Sequence, residues 1–362
     1  MANIGLIFMS EYGKIELRQI LNFQSKTMQT PSEKTEKMLF ATEEEVFKTI
    51  IGANHPFRKL NELIDFEKLV EPMRATYSTL GANGIDVQKG IKALLIQFWE
   101  DYSDREMEQA IKENLAVRWF CGFSIGETTP DYSYFCKLRK RIGTKRVGQF
   151  FKDVNAILDS YGLFGNVFTF IDASTIITKT ALWEERDQAI KAGADKLNNS
   201  NVQKYAADKD ARWGAKSKNH IWFGYKRNTA VDMRCGLIKK VAVTPANVPD
   251  FKAAENVMPD QGAVFMDKIY DTKKTNDIVK AHDCYAATIR KNNNKEKNRD
   301  LDSWHSKIRM PFEGTFSKMD KHARYRGLAK NAMQGFLQAA AYNLKKAVNI
   351  LTVLPTAPIA AV

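Results

Sequence analysis

Three acids are the candidates for chemistry: Asp172, Asp267 and Glu313. Asp172 interrupts "NVFTFIDASTIITKT", preceded by Val167, Phe168, Phe170 and Ile171 and followed by Ile176 and Ile177. That β-branched and aromatic content reads as a strand buried on both faces. A carboxylate in such a run is costly unless it is paired, hydrogen-bonded or bound to a cation. Asp267 repeats the context in "GAVFMDKIYD", at the end of a short apolar strand and ahead of a helical stretch. Glu313 falls in a predicted helix, four residues after Arg309. Acids at strand ends are commonly helix caps or turn formers, and a chain with 42 Asp and Glu offers many triplets, so that reading stays open. The alternative is convergence, with two carboxylates at the carboxyl ends of neighbouring strands and the third on a helix beside them. Three converging acids need compensation. With no Cys/His cluster in the chain, the fitting compensators are hard cations that prefer oxygen, Mg²⁺ or Mn²⁺. Two such ions about 3.5–4 Å apart activate an attacking oxygen and stabilise the leaving one in phosphodiester cleavage.

The elements that must position these acids change character along the chain. Residues 1–59 are mixed and polar, with "QTPSEKTEK" from Gln29 to Lys37 reading as a loop or linker. Residues 60–163 read as a helical domain. Val87, Ile91, Leu94, Leu95 and Phe98 recur at helical spacing after Asp86, a cap, and Ser103 with Glu106 forms a capping box before Met107, Ala110 and Ile111. Thr129 and Pro130 suit the start of a further helix and Gly143 its stop, before a fourth helix through Phe150, Phe151, Val154, Ile157 and Leu158. After Gly165 come "NVFTFIDAS", "HIWFGYKRNTAVDM", "GLIKKVAVTPAN", "AVFMDKIY" and "CYAATIRK", short strands of which the first three form a meander. Helical stretches between the later ones predict crossovers and a mixed sheet with helices on its faces, an α/β class for residues 164–350. Glu184 to Asn219 reads as a long loop or short helices. A long helix through Leu328, Phe336, Leu344 and Val348 precedes a loose tail at 351–362.

The formal net charge of +13 sets an electrostatic preference for polyanions, of which nucleic acid is the commonest and an anionic membrane the rival. No apolar run reaches the roughly 18 residues of a membrane span, and "MANIGLIFMS" lacks a basic n-region and a cleavage site, so a cytoplasmic protein without a membrane role is expected. Cys121, Cys136, Cys235 and Cys284 form no C-x-x-C pair, which argues against a zinc cluster or disulfide framework. "KLRKRIGTKR", with Lys137, Arg139, Lys140 and Arg141, reads equally as a solvated helix face and as a DNA contact. Trp213, Trp222, Phe223 and Tyr225 stand among basic residues in the mixture that grips a nucleic-acid backbone and stacks bases, but Trp222, Phe223 and Tyr225 read first as strand core, which leaves Lys216, Lys218, Lys226 and Arg227 as candidate contacts to the backbone. "RKNNNKEKNR" from Arg290 reads first as a flexible linker and second as a phosphate-contacting loop, and His220, His282, His305 and His322 lack ligand spacing.

The phrases "IDAST", "WFGYKRNTAVD", "TPANVPD", "MDKIYD" and "RMPFEGTF", followed by "HARYRGL", stand in the order found in DDE transposases of bacterial insertion sequences. They most resemble the insertion-sequence-five type, and the resemblance covers roughly residues 60–350. It implies an RNase H-like catalytic domain behind an all-α amino-terminal domain. It makes Asp172, Asp267 and Glu313 the metal-binding triad, and Arg309, the arginine preceding the glutamate, a DNA contact. Ile269 stands where the family usually has Gly. The implied activity is cleavage at the element's ends and transfer of the freed 3′-hydroxyl into target DNA, with Mg²⁺ or Mn²⁺, two ions, as cofactor. The implied partners are double-stranded DNA, as terminal inverted repeats and target, and a second copy of the chain in the DNA complex, which would place the protein on the nucleoid. One alternative is a copy that binds DNA without the chemistry. Another is a tyrosine recombinase built on His305, Arg309 and Tyr325, whose His-x-x-x-Arg spacing departs from the expected His-x-x-Arg.

Overall fold

The computed structural model describes residues 42–78, 84–178, 198, 200–217 and 220–353. Expectations for the amino-terminal linker, for residues 184–197, 199, 218 and 219 of the insert and for residues 354–362 lie outside the described residues. Among the described residues seven helical spans come first: α1 Glu43–Ile50, α2 Pro56–Leu63, α3 Phe66–Arg74, α4 Val87–Trp99, α5 Asp104–Glu113, α6 Leu115–Cys121 and α7 Tyr132–Ser160. The caps follow the sequence closely at two of them. Asp86 accepts from Gln88 N at 2.6 Å, and Ser103 and Glu106 form both halves of the capping box. Ser103→Ala is expected to cost about 1 kcal/mol, read as a lower urea midpoint at unchanged slope. The start of α7 differs from expectation. Asp131, not Thr129, is the cap, accepting from Ser133 N and Tyr134 N at 2.7 and 3.3 Å. Gly143 stops the helical backbone as expected: at φ +76° and ψ 160° it is non-helical, and the span Tyr132–Ser160 is two helices meeting there at a kink.

The remainder is β1 Phe168–Ile177, α8 Ser200–Tyr205, β2 Arg212–Ser217, β3 His220–Asp232, β4 Leu237–Pro245, α9 Asp250–Ala253, β5 Gly262–Met266, α10 Lys273–Ala281, β6 Cys284–Thr288, α11 Arg299–Ser317 and α12 Leu328–Val353. The strands form one mixed sheet in the order β2-β3-β1-β5-β6, with β4 also paired to β3. β1 and β4 both run antiparallel to β3, giving the expected meander, while β5 and β6 run parallel to β1. The polar insert therefore ends in a strand, β2, which its sequence concealed. β1 also continues through Asp172, because its pairing with β3 persists to Ile177 after its pairing with β5 has stopped at Ile171. Four free cysteines remain, of which Cys121 alone is fully buried.

One hydrophobic core joins the helices to the sheet. It runs from Phe57 through α4 and α7 to Phe170, Val231, Ile238 and Phe265 on one sheet face, with α12 between. Ala339, Ala340, Ala341 and Ala347 keep α12 slender where it packs. Its buried Asn343 accepts from Ile238 N at 2.7 Å and donates to Asn155 Oδ1 at 2.8 Å, tying β4 to α7. On the opposite face Ile171, Val264 and Met266 pack against Val257, Tyr270 and Val279. Phe223 and Tyr225 form a third cluster with Ile176, so they are core as their sequence implied, and Trp213 of β2 joins them.

Candidate active site

β1 and β5 lie side by side with Ile171 opposite Met266. The next residue after each is an aspartate, so Asp172, within β1, and Asp267, just past the end of β5, stand at the same level. Side chains alternate along a strand, so Asp172 shares the face of Phe170, where α11 crosses. From α11, Arg309 stacks its guanidinium 5.6 Å from the Phe170 ring centre. Its Nη1 lies 4.0 Å from Asp267 Oδ1 and its Nη2 3.6 Å from Glu313 Oε1. The four-residue spacing of Arg309 and Glu313 is one helical turn, which puts both on the flank that faces the strands.

Burial pushes the Asp172 carboxyl up to about 6, and the negative charge of Asp267 adds to this. The Ala173 N–H, at 2.8 Å from Oδ1, and the charges of Lys216 and Arg309 act in the opposite direction without cancelling it. Asp172 thus needs more positive charge than the protein supplies. Beside it, Thr229 is its cross-strand partner and its buried hydroxyl has no hydrogen-bond partner. The buried Tyr270 hydroxyl also lacks a partner; burial holds its pKa well above the usual phenol value, and Asp172, Asp250 and Asp267 add to that. The groups around Asp172 that lack a full partner are oxygens, the donor chemistry that suits a hard divalent cation.

The structure brings Asp172 and Asp267 together and joins Glu313 to them through Arg309. Among the described residues, no three His, Cys, Asp or Glu side chains stand close enough to hold one metal ion. Sequence reasoning missed Tyr270 and Thr229 as neighbours of the acids. The Tyr in "MDKIYD" was in view, but its inward aim follows from the short 3-10 turn Lys268–Tyr270.

Among the candidate DNA contacts, Lys137, Lys140, Arg141 and Lys216 are exposed, and Arg141 stacks 4.4 Å from the Tyr77 ring. Lys218 lies outside the described residues. Three others are corrected, because their charges are committed inside the protein. Arg139 is buried, donates to both carboxylate oxygens of Asp104 at 2.8 and 2.5 Å and stacks over Tyr325. Lys226 donates to Asp250 Oδ1 at 2.7 Å and Val248 O at 3.1 Å. Arg227 is fully buried and donates to Gln338 Oε1 at 2.7 Å, Asp320 O at 3.2 Å and Met319 O at 3.4 Å. Burial lowers its pKa to about 10.

Residues 45–141 match a family described as a transposase domain (DUF772), and residues 164–344 match the transposase DDE domain. The transposase for insertion sequence element IS1106 of Neisseria meningitidis serogroup B is 32% identical over 159 residues, which cover 40% of this chain and 54% of that protein. The chain thus spans about half the length of this curated relative. No solved structure matches it. The DDE match covers half of the chain and encloses β1 with Asp172, the start of the loop after β5 with Asp267, and the turn of α11 that carries Arg309 and Glu313. On that match the chain belongs to the transposases with a DDE domain.

Proposed function

We propose that the protein is an insertion-sequence transposase of the insertion-sequence-five type, which cleaves DNA at the ends of its element and joins the 3′-hydroxyl to target DNA. The observation that carries this reading is the pairing of Asp172 and Asp267 at one level of neighbouring parallel strands, with Arg309 and Glu313 across from them. The strand order β4-β3-β1-β5-β6, an antiparallel meander continued by two parallel crossover strands, supports reading the catalytic domain as RNase H-like. The name of the IS1106 relative supports an insertion-sequence element as the source of substrate.

Asp172, Asp267 and Glu313 would hold divalent cations, Mg²⁺ or Mn²⁺ as a pair. When bound, these supply an activated oxygen nucleophile and charge neutralisation at the leaving oxygen. The protein's own groups do the rest. Arg309 attracts the scissile phosphate and, in exchanging its carboxylate partners for it, releases Glu313 into the site. Lys216 adds positive charge beside Asp172, and the Tyr270 hydroxyl is placed to steady a carboxylate. The helices of residues 60–163, with Lys137, Lys140 and Arg141, grip the inverted repeats, and two copies act on two ends.

The test is direct. Purified protein is expected to nick duplexes carrying the terminal repeats with Mg²⁺ or Mn²⁺ and to stop on chelation. A covalent protein–DNA adduct that survives chelator would sink the reading. A pH dependence also follows. Below about pH 6 a cation must displace the proton of Asp172, so Mn²⁺ affinity of the DNA-free protein should fall about tenfold per pH unit there and level off above. Titration followed by Mn²⁺ electron paramagnetic resonance checks this, and a flat profile from pH 5 to 7 contradicts it.

A further inference from the structure

Beyond Glu313 the chain turns under the tail of β1. Ile177 N donates to Lys321 O at 2.7 Å and Ala323 N to Ile177 O at 2.8 Å. This turn, the end of α4 and the second half of α12 enclose a cleft of about 1230 Å³. Lys318, Lys321, Lys345 and Lys346 line it, together with the aromatic surfaces of Trp99 and Tyr342.

The charge in the cleft is unbalanced. Its two acids are already engaged, since Asp101 and Asp320 both face Arg324, and Asp320 also accepts from His322. None of the four lysines has a carboxylate partner among the described residues. Lys345 donates to Trp99 O at 3.2 Å and stacks over that indole, and Lys346 donates to Gly236 O at 3.3 Å. Arg227 lies behind the wall. It bonds Met319, Asp320 and Gln338, which line the cleft, and its Nε has no partner. A fully buried guanidinium held by carbonyls and an amide, with no carboxylate, is under-compensated. A solvated lysine face is the ordinary reading in so basic a chain. It accounts neither for the concavity, nor for the engaged acids, nor for the buried cation behind them.

Lysines without counter-ions over aromatic surface fit a phosphodiester backbone. Lys321, on the cleft wall, is bonded through its carbonyl to Ile177, five residues beyond Asp172 on the same strand, or roughly 16 Å at strand rise. That equals about five nucleotide steps of duplex. We propose that this cleft grips the sugar–phosphate backbone of double-stranded DNA about five base pairs from the phosphate held at Asp172. The assignment rests on the transposase reading.

The test uses Lys318→Gln/Lys321→Gln in the full chain, because both side chains are exposed and carry no structural bond. Fluorescence anisotropy with duplex DNA of arbitrary sequence is expected to show Kd about tenfold higher near physiological salt. The slope of log Kd against log salt should fall by about two. Lys273→Gln/Lys274→Gln, on exposed positions of α10, removes the same charge and should leave both quantities unchanged. Without any substitution, duplex should protect Lys318 and Lys321 from acetylation more than Lys273 and Lys274. Equal losses in the two double variants, no loss in the first, or preference for single strands over duplex in the cleft-dependent binding would overturn the proposal. If wild type binds and cuts DNA yet the cleft variant matches it, the cleft alone falls. If wild type ignores duplex DNA altogether, the transposase reading falls with it.

Discussion

Asp172→Asn should reduce metal-dependent strand cutting by about 10³-fold or more while leaving duplex affinity within about twofold, since several kcal/mol of charge stabilisation at the reacting phosphate are lost. Asn keeps the volume and the acceptor that meets Ala173 N–H, so only the charge disappears. Asp267→Asn and Glu313→Gln should act alike. A single-turnover cutting assay run beside an anisotropy titration separates chemistry from binding, and wild-type cutting in any of the three variants would refute the assignment of that residue. Asp172→Asn carries a second signature. The folded carboxyl holds its proton more tightly than the unfolded one, with its pKa raised from 3.8 to about 6. Wild-type stability contributed by this group therefore declines as pH climbs through that window. The Asn variant should lack this decline and unfold at the same or a higher temperature at pH 7. Loss of activity with unchanged or increased stability is the behaviour of a site group held at the fold's expense.

The largest expected effect on folding belongs to Gly224. It sits in β3 opposite Ile177, at φ +149°, and a Cβ there would collide with the Ile176 carbonyl oxygen and approach Thr178 N to 3.0 Å. Both obstacles are backbone of β1, which cannot yield without giving up the antiparallel register that carries Asp172 opposite Thr229. Gly224→Ala is expected to cost about 4 kcal/mol or more, seen as loss of soluble protein or a much lower Tm. Gly126→Ala is the control, since nothing lies within 4 Å of its Cβ position. A Gly224→Ala protein with a Tm within about 2 °C of wild type would show that the close approach is not a constraint.

Much of this arrangement was legible in local sequence because the signals are local. Asp86 and Ser103 announce their helices through bonds two and three residues away, and apolar runs bounded by turn residues gave five of the six strands. The acids were legible by context, as carboxylates following buried apolar stretches. What escaped depended on distant partners. β2 is a strand because β3 presents an edge to it, and its own residues, buried at Trp213 and Gly214 and exposed at Ala215 and Lys216, do not alternate. An arginine in a basic string looks the same whether it meets solvent or a carboxylate. Arg139 finds Asp104 35 residues away and Arg227 finds Gln338 111 residues away. Sequence made both candidates for DNA, whereas tertiary structure spends both inside.

The single core running from Phe57 to Val348 has a mechanical corollary. The amino-terminal helices and the acid-bearing sheet are welded through α12, so force applied to one must turn the other. DNA seized by the helices would be delivered to Asp172 by rotation of the whole body. Severing the chain between residues 163 and 164 should yield two insoluble fragments that regain solubility only when refolded together.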